Sequence, residues 1–365
     1  RGERLIETAD VAAARAQFPV LKRYAYLNAG TLGPLATSVV EAMSAEHDRA
    51  LAEGRFNPSV FEQFFDLRQE MRDEFARLLA VDSARVALVS STTDACNVVL
   101  NAHSFDEGDE IVTTDVEHFG LIGPLLASGA RVRVAVTRDR PADDALDALL
   151  AEVTPRTRLV ALSDVNWVNG HRLPWREVKE QTGVPVLVDG AQSAGAVPVD
   201  ASAADFYTVS AQKWLCGPDL TGALFVADPE ALSVRTPSYL SQQRYDVVAG
   251  TFEPQEGAAR FDTYFTPFAA LLGMRAAFAL HPSWRYERAA EAAELCRARV
   301  AERFDVVTEP GHSTLVSFRY ETEGAAKRLY EQNVIVRDIP GSGLMRVSCG
   351  WWTSDDDVER LVSAL

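Results

Sequence analysis

From residue 85 onward the chain alternates short, β-branched apolar runs with amphipathic stretches of helical period. RVALVS (85–90), EIVTTD (110–115), RVRVAV (131–136), RLVALSDV (158–165), VPVLVD (184–189), DFYTVS (205–210) and ALFVAD (223–228) predict seven strands. TTDACNVVLNAH and the stretches near 119–128, 143–152 and 175–182 predict the helices between them. Strand and helix in alternation define an α/β domain whose mostly parallel sheet is covered on both faces. Past Leu280 the pattern changes. A helix over about 283–303, strands near 304–308 and 314–320, a helix near 322–332, strands around 333–337 and 344–348, and a last helix from 353 read as a small α+β unit. The N-terminal segment is expected to pack against it. The domain division predicted is 27–256 for the large unit, with 1–26 and 257–365 forming the small one.

An open parallel sheet binds its ligand beyond the carboxyl ends of its strands, so chemistry is sought there. SSTTDA (90–95) turns a strand into a helix. Ser and Thr at a helix start are most simply N-caps, but a helix N-terminus with several hydroxyls also cradles phosphate. Asp189 ends the apolar run VLVD. A carboxylate there is costly to bury without a partner; it either bonds the following turn or faces a cation. Lys213 follows DFYTVS and precedes Trp-Leu-Cys-Gly-Pro, a poor setting for an exposed charge. Burial would depress its pKa and make the amine nucleophilic, as Schiff-base formation requires. His118, after EIVTTD, is by itself an unremarkable histidine; its strand-end position directs it to the same crevice. Phosphate anchor, anion, amine and imidazole together are what pyridoxal phosphate uses.

Charge and composition narrow the alternatives. With 36 Lys and Arg against 52 Asp and Glu the net charge is −16, which disfavours nucleic acid and anionic membranes as partners. The cysteines at 96, 216, 296 and 349 are too far apart in sequence for a zinc knuckle or redox pair, and their sparseness suits a reducing cytoplasm. The apolar stretch 265–280 is broken by Arg275 and too short to span a bilayer. No GxGxxG follows a strand, and HExxH and GxSxG are absent, which disfavours a Rossmann dehydrogenase, a zinc hydrolase and a serine hydrolase.

YLNAGTLGP (26–34), STTDA, DVEHFG, VDGAQSAG, ADFYTVSAQKWLCGP and MRVS occur in an order that resembles the class V aminotransferases among the fold type I pyridoxal-phosphate enzymes. The resemblance is to the branch of cysteine desulfurases, selenocysteine lyases and isopenicillin N epimerases, and runs nearly end to end. It implies the fold type I architecture, with a large domain built on a seven-stranded sheet between helices, and a homodimer with sites at the interface. It implies that Lys213 is the Schiff-base lysine and Cα base, that Asp189 holds the ring nitrogen protonated, that Gln192 reaches the phenolic oxygen and that His118 stacks on the ring. Thr92, Thr93, Ser210 and Gln212 would bind the phosphate, joined by Thr266 of a second subunit; Gln212 stands where many desulfurases carry His. Arg346 would clamp the substrate carboxylate, helped by Arg337, with Asn28 and Trp167 lining the pocket. Asp164 falls where relatives have Asn or His near the cofactor. One departure bears on the reaction. Desulfurases carry a nucleophilic Cys on the loop that here reads RDIPGSGLM (337–345), and Cys349 misses that position. The expected activity is therefore transamination or C–S-lyase-type β-elimination on a small amino acid. Epimerisation and desulfuration are the alternatives within the family, and an inert cofactor-fold binding or regulatory protein is the alternative outside it.

Overall fold

In the computed structural model of the chain, Leu5, residues 9–263 and residues 265–365 are described. The strands are β1 (Ala25–Tyr26), β2 (Val86–Val89), β3 (Glu110–Thr114), β4 (Arg131–Ala135), β5 (Thr157–Ser163), β6 (Val186–Asp189) and β7 (Phe206–Ser210), followed by β8 (Gly222–Val226), β9 (Gln242–Asp246), β10 (Thr251–Pro254), β11 (Leu315–Arg319), β12 (Val334–Ile335), β13 (Arg337–Ile339) and β14 (Leu344–Ser348). The seven predicted strands form one sheet in the order β2-β8-β7-β6-β5-β3-β4. Every pairing in it is parallel except the two made by β8.

The sheet is apolar on both faces because both are covered. Val86, Leu88, Val160, Leu162, Val186 and Val188 pack into one buried cluster. Their neighbours Ala87, Val89, Leu159, Ala161 and Leu187 pack into another on the opposite face. Each fully buried Val or Leu contributes about 1.5–3 kcal/mol relative to exposure. Two long helices, Thr37–Glu53 and Pro58–Leu79, precede the sheet. The second starts where the Asn57 side chain accepts from the Val60 amide and Pro58 occupies the first turn. Its Phe64, Leu67, Met71 and Phe75 join the first cluster together with Leu271 and Met274 of the helix Phe268–Leu280.

The C-terminal unit has its own core. Ala292, Cys296, Val316, Phe318, Met345, Val347 and Leu361 pack with Leu5, Ala25 and Leu27. The N-terminal segment thus belongs with this unit: β1 pairs in parallel with β12, and Asn28 bridges to Ser348. Around them lies a three-stranded antiparallel sheet, β11-β14-β13. The strand expected near 304–308 is reduced to a single bridge, Val306 to Phe318. The run expected as one strand around 333–337 divides: Val334 and Ile335 pair with β1, whereas Arg337 pairs with Arg346. The hairpin β9–β10, not anticipated from the sequence, is exposed along most of its length. No helix among the described residues is long and apolar enough to cross a membrane.

Candidate active site

The carboxyl ends of β2, β3, β5, β6 and β7 converge on a cavity of about 140 Å³. Its lining includes Thr92, Thr93, His118, Asp189, Gln192, Ser210, Gln212 and Lys213, so most of the residues singled out in the sequence are neighbours in space.

At one end stands the N-terminus of the helix Thr92–Ala102, capped by the Ser91 hydroxyl, which accepts from the Asp94 amide at 3.2 Å. The Ser210 hydroxyl, at the end of β7, accepts from the Thr92 amide at 3.0 Å and donates to Thr92 Oγ1 at 3.0 Å. These bonds lock two strand ends together. The free amides of a first helical turn favour an anion. Gln212 Oε1 is buried here without a hydrogen-bond partner, and Gly120 leaves room for Thr93, since a Cβ on it would lie 2.7 Å from Thr93 Oγ1. Hydroxyls and the free amides of a helix N-terminus form a donor set that fits a phosphate, and the Gln212 side chain can add its amide N–H.

Asp189 ends β6 fully buried and accepts from the Ala191 amide at 2.8 Å. Burial raises its pKa, while the Lys213 charge pulls it back. The Lys213 amine makes no hydrogen bond or ion pair among the described residues. Burial lowers its pKa to about 8, against the pull of Asp189 and with a further push from Arg346 and Arg337. His118 caps the helix Phe119–Ala127, its Nδ1 accepting from the Gly120 amide at 3.0 Å, and its ring meets Trp167 edge-on with centroids 5.1 Å apart. Burial and the nearby Lys213 and arginine charges lower its pKa to about 4, so the imidazole is neutral at pH 7. The Gln192 side chain donates to the Gly30 carbonyl at 2.8 Å and accepts from Trp214 Nε1 at 3.0 Å, which leaves one amide hydrogen for a ligand.

The arginines stand beyond Trp167, beside this cavity rather than in its lining. Arg346, fully buried, donates to the Trp167 carbonyl at 3.0 Å and to Thr31 Oγ1 at 3.3 Å, and its Nε has no partner. Burial, then Arg337, pushes its pKa down to about 9, so it stays charged at pH 7. Arg337 donates to the same Thr31 oxygen at 3.3 Å, and its guanidinium lies 5.9 Å from the Trp167 ring centroid. Asn28 serves this group indirectly: its Oδ1 accepts from the Thr31 hydroxyl at 2.8 Å. Gly30 lets the N-terminal segment thread between the two units, since a Cβ would lie 2.9 Å from Arg346, Gln192 and Ser348 side-chain atoms alike.

Two expected residues are elsewhere. Asp164 points away from the cavity, where its carboxylate accepts from Tyr207 at 2.8 Å, Trp175 Nε1 at 3.3 Å and Arg172 at 3.4 Å. Adjacent residues of an extended segment face opposite sides of the sheet, and it is Ser163 and Val165 that line the cavity. Asp164 therefore has no contact with the cofactor site. Thr266 is buried outside the cavity of its own chain. The segment before it is pinned by Asp262, which accepts from Arg68, Arg72 and the Leu88 amide.

Two residues were not read from the sequence. Thr31 joins the arginines. Glu117 places its carboxyl against Ser163, with Oε1 also 2.7 Å from Thr114 Oγ1 and both oxygens 3.1 Å from the Ser163 amide. Burial raises its pKa to about 7 despite these bonds, and Asp189 adds to the rise. Its signal was its place beside His118 in DVEHFG.

The cavity thus combines a phosphate-type cradle, a buried anion and a deprotonatable amine at the ends of a parallel sheet. That combination is the mark of a pyridoxal-phosphate enzyme of fold type I. The sequence profile described as Aminotransferase class-V matches residues 24–361, and the chain belongs to this family. Among curated relatives, the isopenicillin N epimerase of Streptomyces clavuligerus is 28% identical, with 93% of each chain covered. A probable cysteine desulfurase of Mycolicibacterium paratuberculosis is 34% identical over 63% of this chain and 36% of its own length. The solved complex of the cystine C–S lyase C-DES with its reaction product cysteine persulfide has a TM-score of 0.87 and 28% identity, covering 95% of this chain and 98% of that one. A C-DES mutant carrying glycine covalently linked to its PLP cofactor is equally similar, at TM-score 0.87 and 27% identity.

Proposed function

We propose that the chain is a C–S lyase: a pyridoxal-phosphate enzyme that removes the Cα proton of a small sulfur-containing amino acid and expels its β-substituent. The observation that carries this reading is the amine of Lys213, with a pKa of about 8, facing a cavity that holds an anion and no cysteine. All four cysteines are buried and outside the lining, so a sulfur product leaves on a small molecule rather than on the protein.

Bound in the cavity, the cofactor supplies a sink for the electron pair left on Cα. Lys213 would hold it covalently and, with substrate in its place, would serve as the base that takes the Cα proton and passes it to the departing sulfur. Asp189 would keep a proton on the ring nitrogen, and Gln192 would offer its remaining amide hydrogen to the phenolic oxygen. Neutral His118 covers the ring without adding charge. Thr92, Thr93, Ser210 and Gln212 hold the phosphate, and Arg346 orients the substrate through its α-carboxylate, for which a planar fork suits better than an ammonium. The working form is a cytoplasmic homodimer in which Thr266 of a second subunit completes the phosphate site. The two-unit division is kept as 27–256 against 1–26 with 257–365, although the helix Phe268–Leu280 packs its Leu271 and Met274 into the core of the large unit.

Epimerisation is the second reading, favoured by end-to-end similarity to an isopenicillin N epimerase. One experiment separates the outcomes. Purified protein is given the cofactor and a panel of amino acids, with Lys213→Ala as control, while the visible spectrum and products are followed. Release of pyruvate with a thiol or persulfide supports the lyase. Solvent deuterium at Cα with inversion and no elimination would make it an epimerase. A keto acid with the substrate's own side chain intact would make it a transaminase.

A further inference from the structure

Asp189 is not the only carboxyl group near its end of the cavity. Glu117, in the turn after β3, lies outside the lining but close enough for the Asp189 charge to raise its pKa. Lys213 offsets the charge of Asp189. The partners of Glu117 are instead uncharged donors: the Thr114 hydroxyl, and the amide and hydroxyl of Ser163. Cys96, on the helix Thr92–Ala102, lies near both carboxyls, and burial keeps its thiol protonated. His118, next in the chain, is neutral at pH 7.

Ser163 joins Glu117 to the cavity. It ends β5 and lines the cavity, and its register partner across the parallel pair is Asp189. Paired residues of neighbouring strands point to the same face of a sheet, so the Ser163 hydroxyl and the Asp189 carboxylate stand side by side. A hydroxyl has one hydrogen to give and two lone pairs. Here the hydrogen goes to Glu117 Oε2, which leaves the oxygen facing the cavity as an acceptor only. Released from Glu117, the same hydroxyl could turn and donate to Asp189, competing with the group that Asp189 is there to hold.

We infer that Glu117 is a positioning residue for the cofactor. By taking the Ser163 hydrogen it makes Ser163 a second acceptor beside Asp189, so that a proton on the ring nitrogen meets two acceptors and no donor. This rests on the role of Asp189 proposed above. The arrangement is pH-dependent in a useful sense. At acidic pH Glu117 is itself protonated and Ser163 is released; as pH rises through about 7 the carboxylate forms and claims the hydroxyl. The hold on the ring proton strengthens as the supply of protons from solvent falls.

The test is the nitrogen-15 resonance of ring-labelled pyridoxal phosphate bound to the full-length protein, followed from about pH 6 to pH 9. Its position reports how far the ring nitrogen is protonated. Glu117→Gln is expected to lose the ring proton at a midpoint about one pH unit below the wild type, the worth of one charge-assisted contact. Ser163→Ala should give the same displacement, and combining the two should add nothing, because each removes the same acceptor. Glu117→Asp, which keeps the charge on a shorter arm, should recover part of the wild-type midpoint. Superimposable titrations of wild type and Glu117→Gln overturn the inference. So does an effect of Glu117→Gln that Ser163→Ala lacks, which would make Glu117 act through its field alone. Asp189→Asn, as control, should displace the resonance furthest. If it leaves the wild-type titration unchanged, the role of Asp189 has failed first and this inference falls with it.

Discussion

The two sides of the site are built on opposite terms. On the sheet side several polar groups are held by partners within the chain: Ser210 with Thr92, Asp189 with Ala191, Glu117 with Ser163, Gln192 with Gly30 and Trp214. On the arginine side both guanidiniums donate to one hydroxyl, Arg346 also to a carbonyl, and among the described residues neither has an ion-pair partner. The contrast separates two tasks. The sheet side is preorganised to grip one invariant group, whereas the arginine side is left electrostatically open for a substrate that comes and goes.

The contrast breaks most completely at Lys213, which touches both sides through its charge. Lys213→Ala should lower turnover about 10³-fold or more, in line with loss of a covalent and proton-transfer group, and abolish the lysine-dependent visible band. Steady-state rates and spectra of the cofactor-loaded protein check this. Next comes Arg346→Gln. It should lower kcat/KM about 10²-fold, mostly through KM, because a buried charge partner of the carboxylate is lost. The cofactor spectrum should stay intact, since this change falls on the open side.

A smaller effect sharpens the sheet side. Glu117 titrates at about 7 in the fold because of burial, against 4.5 in its ordinary state. Between those values the folded chain holds a proton that the unfolded chain has lost. Its contribution to stability is therefore complete below pH 4.5 and disappears as pH rises through 7. Thermal melts of the cofactor-free protein should show Glu117→Gln gaining a few degrees on the wild type across this interval; parallel melting curves would contradict it. The least functional change is Asp164→Asn. It should cost about 1–3 kcal/mol of stability by weakening bonds to Tyr207, Trp175 and Arg172. It should leave cofactor absorbance and turnover untouched, because its carboxylate faces the other side of the sheet.

Which parts were legible follows from what generates the pattern. The central strands are covered on both faces, so VLVD and DFYTVS stand out as apolar runs, and the first polar residue after each marks a strand end. Asp189, Lys213 and His118 were readable for that reason. The hairpin β9–β10 was not, because exposed strands such as Gln242–Asp246 carry no apolar signature. The division of 333–337 between two partners depends on tertiary pairing with Ala25 and Arg346, which no local pattern contains. Asp164 shows the limit at the site itself. Family position placed it near the cofactor, but the alternation of side chains turns Ser163 inward instead. Glu117 and Thr31 act through contacts with Ser163 and Arg346, and their roles appear only once distant segments meet.

The edge strand β2 carries a consequence for how the molecule is made. It is the first strand of the large sheet in the chain, yet it pairs only with β8, the last. The Thr92–Ser210 bonds that close the phosphate cradle link residues 118 positions apart. Contacts this distant in sequence pay their loop-closure entropy late. During synthesis the cradle stays open until Val226 has emerged and β8 has slotted between β2 and β7. Capacity to hold the cofactor is therefore acquired at the end of sheet assembly, and a chain that has captured it has already closed its large sheet.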